Sequence, residues 1–407
     1  MLRMSAALAR TAGSVSRRTG LGAGSTLPGL LALRLSRRSL EHLSQGRQVA
    51  LISGTNGKTT TTSLLASALA VRHPVASNHR GANLETGLIS ALLDRGPTTA
   101  VLEVDEVVLP RAVAACSPAV VVLLNLSRDQ LDRTSEVALH AQRWGRCLTG
   151  SAAVVIANAD DPLVVHAVLE GRPHGQQVIW VAVGQPWRQD TPLCPSCHAA
   201  WQTDTVAWRC DRCGFARPRA DWTLQGQLLL GPSQLRLPLA LSLPGRANAA
   251  NAAMAIAAAD TLGVQPAFSL KAMGAVTVVS GRYGIYQVGR HRIRLLLAKN
   301  PAGWHEVLAE LEATARPLIM MFSARAADGM DPSWLWDVPF EQLAGRKVEV
   351  TGSRGADLAT RLEYAEVPHR VHRTLARAIE ALPDGDCDVV ANYTSFVAAS
   401  AELARAS

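Results

Sequence analysis

The stretch Arg47-Gln-Val-Ala-Leu-Ile-Ser-Gly-Thr-Asn-Gly-Lys-Thr-Thr60 runs from an apolar segment through a glycine loop into a second segment with helical apolar spacing, Thr61 to Val71. An unbroken apolar run bounded by glycine reads as a strand buried on both faces. Strand, glycine loop and helix in that order make a phosphate cradle. Small residues let backbone N–H groups approach phosphate oxygens, and the helix N-terminus adds its dipole. Lys58 supplies a point charge, and Thr59 offers a hydroxyl to Mg²⁺. A strict phosphate-loop pattern has Gly where this chain has Ile52, but the Gly-Lys-Thr core keeps its context. Only four of the 41 basic residues are Lys, so a lysine at this position is hard to assign to chance.

Further motifs follow in order. Ala100 to Glu106 (AVLEVDE) is an apolar strand ending in acids, and Asn125 to Arg133 (NLSRDQLDR) follows another apolar strand, Ala119 to Leu124. Asn158 to Pro162 (NADDP) follows Ala152 to Ile156, and Gly245 to Asn251 (GRANAAN) opens an Ala-rich helix. Gly281-Arg282 and Lys299-Asn300-Pro301 complete the series. With the loop Gly54, Thr55, Asn56, Gly57, Lys58, Thr59 and Thr60, this set resembles the Mur ligase family, the ATP-dependent ligases of peptidoglycan precursor synthesis, and the related folylpolyglutamate synthetases. The resemblance implies that the loop holds ATP phosphates, that Glu103 joins Thr59 on Mg²⁺, that Asn251 reads adenine and that Arg282 meets the phosphates. The loop Asn78 to Gly87 (NHRGANLETG) also resembles a family segment, one expected to face the substrate.

Two departures stand out. The metal-supporting His of the third motif is Gln130, and no Lys lies between 58 and 271, so the carbamylated lysine of ordinary Mur ligases is missing. A second metal site would have to be built from other residues. The phosphate loop also starts only some 50 residues into the chain, which leaves no room before it for a large UDP-binding domain and points away from a soluble UDP-linked substrate.

Cys194-Pro-Ser-Cys197 and Cys210-Asp-Arg-Cys213 place two knuckles in a spacing that converges four thiolates on a tetrahedral Zn²⁺. Four thiolates close the coordination sphere, so the expected role is structural. Trp201, Trp208 and Phe215 would form a small core around the metal. The remaining cysteines, 116, 147 and 387, are scattered, which argues against a disulfide framework and for a reducing cytoplasm.

Composition sets the outer bounds. Apolar residues make up 48% of 407 and charged residues 18%, values of a folded enzyme and not of a disordered chain. No apolar run approaches the ~18 residues of a membrane-spanning helix. The net charge of +8 suits a polyanionic partner or a phosphorylated substrate. Residues 1 to 40 carry seven Arg and no acid, a basic arm suited to peripheral contact with anionic lipid. The tryptophans cluster near the cysteines and around residue 335, with no aromatic and arginine stripe, so a zinc-ribbon ATPase acting on nucleic acid is the weaker reading.

The cysteine pairs, Leu297 to Gly303, Asp328 to Asp337 (DGMDPSWLWD) and Asn392-Tyr-Thr394 together resemble one branch of the family, the MurT-type synthetase subunits of lipid II isoglutaminyl synthases. That resemblance implies ATP-dependent amidation of the D-glutamate α-carboxylate in the lipid II stem peptide at the inner face of the cytoplasmic membrane. It implies as partner a GatD-type class I glutaminase in a heterodimer or larger complex. Ammonia would come from that partner, whose catalytic Cys and His are completed by an Asp of this chain. Asp331 is the first choice, with Asp328 and Asp337 as alternatives. A different Mur or folylpolyglutamate-type amide ligase is the nearer rival.

The expected architecture is α/β: a basic arm over 1–45, a Mur-ligase-like ATP-binding domain over 46–280 with a zinc-ribbon insertion at about 186–225, and a smaller α/β C-terminal domain over 281–407. The cofactors implied are ATP, Mg²⁺ and structural Zn²⁺.

Overall fold

The computed structural model describes residues 26–78, 81–94, 96–129, 137–172, 175–187, 189–201, 207–277, 283–312, 314–325 and 328–407. The chain forms two compact units, one of residues 1–127 and 137–277 and the other of 128–136 and 278–407. Each is built on its own sheet.

The sheet of the first unit has nine strands. They are β1 (Gln48–Ser53), β2 (Val75–Ser77), β3 (Thr99–Glu103), β4 (Val120–Leu123), β5 (Val154–Asn158), β6 (Val178–Ala182), β7 (Trp222–Gln225), β8 (Leu228–Leu230) and β9 (Arg236–Pro238). Their spatial order is β2-β3-β1-β4-β5-β6-β7-β8-β9. Pairing is parallel from β2 through β7 and antiparallel over β7, β8 and β9. β1 lies between β3 and β4, and its residues Val49 to Ser53 are all buried, as its unbroken apolar run requires. Parallel neighbours need helical crossovers, so the strands alternate with helices that cover the sheet. The loops that follow β1, β3, β4 and β5 therefore gather at one edge of the sheet, the carboxyl ends of its strands, where α/β folds place their ligands. Trp144, Leu88, Leu102, Val121 and Val164 belong to the core.

Strand β7 continues the sheet immediately beyond the cysteine pairs, and Asp221, just before it, ties back to β6 through Trp180. The pairs themselves make two short antiparallel bridges, Leu193 with Ala200 and Arg209 with Ala216.

The second unit carries six strands: β10 (Tyr283–Val288), β11 (His291–Leu297), β12 (Leu318–Met321), β13 (Val348–Thr351), β14 (His369–Val371) and β15 (Gly385–Ala391). Their order is β10-β11-β15-β12-β13-β14, parallel except for the β10/β11 hairpin. Two ion-pair systems are sunk into it. Arg294 grips Asp388 with two hydrogen bonds of 2.8 and 2.9 Å and also meets Glu310 at 2.5 Å. Glu349 accepts from His372 at 2.5 Å and pairs with Lys347 at 2.9 Å. Planar two-point pairing with Arg satisfies a buried carboxylate whose burial alone would be costly.

Candidate active site

The phosphate loop sits between β1 and the helix Lys58–Leu69. Gly57 is the residue before that helix and has φ 86°, in the left-handed region. It also faces Asn251 closely: a Cβ there would lie 2.3 Å from Asn251 Oδ1. Only glycine meets both demands without strain. Asn251 Oδ1 accepts from Thr61 Oγ1 at 3.3 Å, so the helix Arg246–Thr261 brings its amide against the loop.

The loop is fastened to the segment after β4. Asn125 Oδ1 accepts from Asn56 N at 2.8 Å, and Asn125 Nδ2 donates to Asn56 O at 3.0 Å. Thr55 N donates to Asn125 O at 2.9 Å. Thr55 Oγ1 accepts from Ser127 N and donates to Ser127 O, each at 3.1 Å. Asn125, read above as a motif residue only, thus holds the backbone that would face phosphate.

Lys58 is buried, and its ammonium donates to Gly54 O, to Thr55 O at 3.3 Å and to Glu106 Oε2 at 3.0 Å. Lys58 and Glu106 form a shielded ion pair, with side-chain exposures of 5% and 13%. Glu106 has no role in the sequence reading; its position three residues beyond Glu103, at the end of the acidic run, was the available signal. Its backbone carbonyl accepts from Trp144 Nε1 at 3.2 Å. His140, one turn earlier on the same helix, is buried with an unpartnered Nδ1. Burial pushes its imidazole down, and the Glu106 charge pulls partly the other way.

Glu103 ends β3 with 1% exposure, and its Oε2 has no hydrogen-bond partner. A buried carboxylate oxygen without a donor is costly unless something else supplies positive charge. The unpartnered Glu103 oxygen therefore suits a divalent cation. The loop after β2 supports Glu103. Asn78 Oδ1 accepts from Glu103 N and Asn78 Nδ2 donates to Glu103 O, both at 2.7 Å, while Asn83 Nδ2 reaches Glu103 Oε1 at 3.3 Å. Arg282 and Gln130 lie outside the described residues.

The four cysteines 194, 197, 210 and 213 converge, with all Sγ atoms within 4.8 Å of one another. The Cys194–Cys213 and Cys197–Cys210 separations are 3.7 and 3.6 Å. Tetrahedral zinc with bonds of about 2.3 Å sets sulfur–sulfur edges of about 3.8 Å, so the cluster fits that ion and no disulfide. Trp201, Trp208 and Phe215 pack together with centroids 5.2 to 5.9 Å apart. The other three thiols lack a nucleophile's environment: burial pushes Cys116, Cys147 and Cys387 up to about 11, 12 and 11.

In the second unit the three aspartates separate by environment. Asp328 is buried and accepts from Thr394 N at 2.8 Å and Arg325 N at 3.3 Å. Asp337 pairs with Arg128 at 3.0 Å. Asp331 is exposed and accepts from Ser333 N at 2.8 Å and Ser333 Oγ at 2.9 Å, bonds that hold its carboxyl below the usual carboxylate range. Asp331, Trp334 and Asn300 line a small cleft with Lys299, whose ammonium pairs with Asp129.

A phosphate loop pinned to the carboxyl edge of a parallel sheet, with a buried acid one strand away that keeps one carboxylate oxygen unpartnered, belongs to an ATP-dependent ligase of the Mur type. The Mur ligase middle domain matches residues 52–188, and the MurT ligase C-terminal family matches 297–396. Among solved structures, a pseudomurein peptide ligase type C from Methanothermus fervidus superposes with TM-score 0.70 at 18% identity, covering 89% of this chain and 79% of its own. MurF from Acinetobacter baumannii does so with TM-score 0.67 at 17% identity, covering 92% and 80%. The lipid II isoglutaminyl synthase (glutamine-hydrolyzing) subunit MurT of Staphylococcus aureus is 30% identical over 98% of this chain and 97% of its own. The subunit of the same name from Streptococcus pneumoniae is 28% identical over 93% and 92%. The chain belongs to the MurT family. ATP and Mg²⁺ are the cofactors expected of it.

Proposed function

We propose that this chain is the synthetase subunit of a lipid II isoglutaminyl synthase, amidating the α-carboxylate of D-glutamate in the stem peptide to D-isoglutamine. The match to MurT subunits along almost the whole of both chains carries the reading. In the first half-reaction the carboxylate oxygen attacks the γ-phosphorus of ATP, ADP leaves and an acyl phosphate forms. In the second, ammonia attacks the acyl carbon, phosphate leaves, and the nitrogen loses a proton to give the amide.

The chain's own residues contribute position and charge, the main sources of catalysis in phosphoryl transfer. Backbone N–H groups of Gly54 to Thr60 face the phosphates, and Lys58 exchanges its contact with Glu106 for them. Asn251 takes the adenine, and Arg282 the phosphates. Thr59 and Glu103 would hold Mg²⁺, which neutralises phosphate charge when bound. Cys194, Cys197, Cys210 and Cys213 would hold a structural Zn²⁺ within a ribbon at about 186–225. This reading divides the chain into a basic arm over 1–45, an ATP-binding domain over 46–280 and a C-terminal domain from 281.

Ammonia comes from a GatD-type glutaminase bound to the C-terminal domain, with Asp331 completing the partner's Cys–His pair. A carboxylate in that role orients the imidazole and stabilises its charged form, which a solvent-facing, readily ionised Asp331 suits better than a buried Asp328 or a paired Asp337. Exposed Met330, Trp336 and Tyr364 stand close by in sequence or in contact, the two rings 5.2 Å apart, and supply an apolar surface of the kind partners cover. The complex works at the inner face of the cytoplasmic membrane, where lipid II is presented, with the chain in peripheral contact.

The test is amidation by the chain co-purified with its glutaminase, followed as the mass change from carboxyl to carboxamide. D331N should abolish the glutamine-driven reaction and spare the ammonia-driven one. Equal loss of both would reject the Asp331 assignment, and ATP turnover with no amidated lipid II from any nitrogen source would reject the substrate.

A further inference from the structure

The helix Leu27–Leu35 turns most of its leucines away from the core. Its inward face carries Pro28, Gly29 and Ala32, all buried, and Leu33, which packs partly buried against the core. Gly29 lies so near the helix Glu85–Leu92 that a Cβ on it would fall 1.7 Å from Thr86 O, and its N–H donates to Ser90 Oγ at 2.9 Å. The helix is therefore locked in one orientation by close backbone approach. Leu27, Leu30, Leu31, Arg34 and Leu35 then follow the i, i+3, i+4, i+7, i+8 rule and share the outward face. Leu27, Leu30 and Leu35 are 44%, 36% and 57% exposed. Leu33 alone of the helix's leucines packs on the core, so the stripe of Leu27, Leu30 and Leu35 is left for a partner other than its own unit.

The chemistry beside that stripe names the partner. After the helix the chain turns at Ser36, whose carbonyl accepts from Ser39 Oγ at 2.7 Å, and Arg37 and Arg38 follow. With Arg111 and Glu41 they line an open cavity of about 350 Å³. Neither Arg37 nor Arg38 has an acidic partner among the described residues, whereas Arg111 is held by Glu85 at 2.7 Å. Arg34 adds a further charge on the leucine face. Leucines flanked by arginines and an arginine-lined pocket complement an anionic bilayer, with side chains entering the acyl boundary and phosphates taken by guanidinium groups.

We propose that the helix Leu27–Leu35 and the Arg37/Arg38/Arg111 cavity form a docking surface for an anionic phospholipid membrane. The inference deepens the proposed membrane contact by giving it a surface, but its test contains no lipid II and no ATP, so its failure would leave the amidation reading standing.

The full chain is floated with vesicles of phosphatidylcholine containing phosphatidylglycerol, and with vesicles of phosphatidylcholine alone, at low and high salt. Binding is expected only with the anionic vesicles and should weaken with salt. L30E/L35E should reduce it about a hundredfold and R37E/R38E about tenfold. F268E, a charge placed at another exposed apolar site of the same unit, should leave it unchanged. All five substitutions fall on exposed side chains, and unchanged far-ultraviolet circular dichroism would show that the variants fold. The proposal is overturned if the wild type does not bind at low salt, or if both double variants bind as the wild type does. It is equally overturned if deletion of residues 2–25 alone removes binding, or if L30E/L35E converts a dimer to a monomer in light scattering.

Discussion

Gly57→Ala tests whether the loop between β1 and the helix Lys58–Leu69 is the nucleotide site. Gly57 holds φ 86°, where an L-residue costs about 1–2 kcal/mol. Its new methyl would fall 2.3 Å from Asn251 Oδ1 and 3.2 Å from Asn251 Cγ, so the Asn251 amide must move. Movement breaks its hydrogen bond with Thr61, worth about 0.5–1.5 kcal/mol. The total is about 1.5–3.5 kcal/mol, equivalent to about 10- to 400-fold in an equilibrium constant. If the loop relaxes in the free protein, the cost appears as weaker nucleotide binding. If it cannot, the cost appears as lost stability. Calorimetric titration with Mg·ADP and urea unfolding of the same variant together capture both. Free energies of binding and unfolding that both stay within about 0.5 kcal/mol of wild type would refute the reasoning, because surface changes alone produce shifts of that size.

Two further outcomes follow from the geometry. Purified protein should carry about one zinc per chain, and C210S should lose it, with a red-shifted Trp208 emission as the aromatic cluster opens; a metal-free wild type whose four thiols all react freely would refute the site. The second outcome is pH-dependent. Burial opposes the Glu349 charge, but hydrogen bonds from His372 and Lys347 outweigh it and hold the carboxyl below the usual carboxylate range. A depressed acid stabilises the fold above its unfolded value, about 4.3, and that stability is lost as pH falls through the folded value. E349Q should therefore be less stable than wild type at neutral pH and lose less stability between about pH 5 and 3; parallel urea-unfolding curves for the two proteins would count against the buried pair.

The parts legible in the sequence are those whose chemistry is local. A phosphate cradle needs contiguous N–H groups, so seven consecutive residues announce it. Zinc knuckles need two thiolates per tight turn, so spacing alone brings Cys194, Cys197, Cys210 and Cys213 within 4.8 Å. The helix Leu27–Leu35 passed as part of a basic arm, because which face of an apolar helix is inward depends on what Gly29 packs against. Glu106 was hidden for a similar reason. Three acids at the end of β3 look alike in sequence, and only the fold buries Glu103 with one oxygen unpartnered and sends Glu106 to Lys58. Asp328, Asp331 and Asp337 share one motif, and only the fold gives them different partners.

The adjacent Asp160 and Asp161 show why such roles escape a linear reading. Two neighbouring acids before a proline suggest a solvated turn, yet their exposures are 0% and 2%. Asp161 caps the helix Pro162–Gly171 through Leu163 N and Val164 N, and its second oxygen accepts from Leu126 N at 2.9 Å; burial pushes this carboxyl up against those bonds. Asp160 points the other way. Its carboxylate accepts from Val183 N at 2.8 Å, Gly184 N at 2.7 Å and Arg217 Nε at 2.6 Å, while its carbonyl accepts from Trp208 Nε1 at 3.2 Å. One acid therefore supports the segment that pins the phosphate loop, and the other anchors the cysteine knuckles to the sheet. A buried carboxylate keeps its charge only while its donors stay in place. The dipeptide thus fixes both features to the end of β5 with bonds neither can give up cheaply, and makes the cysteine segment an integral part of the first unit's fold.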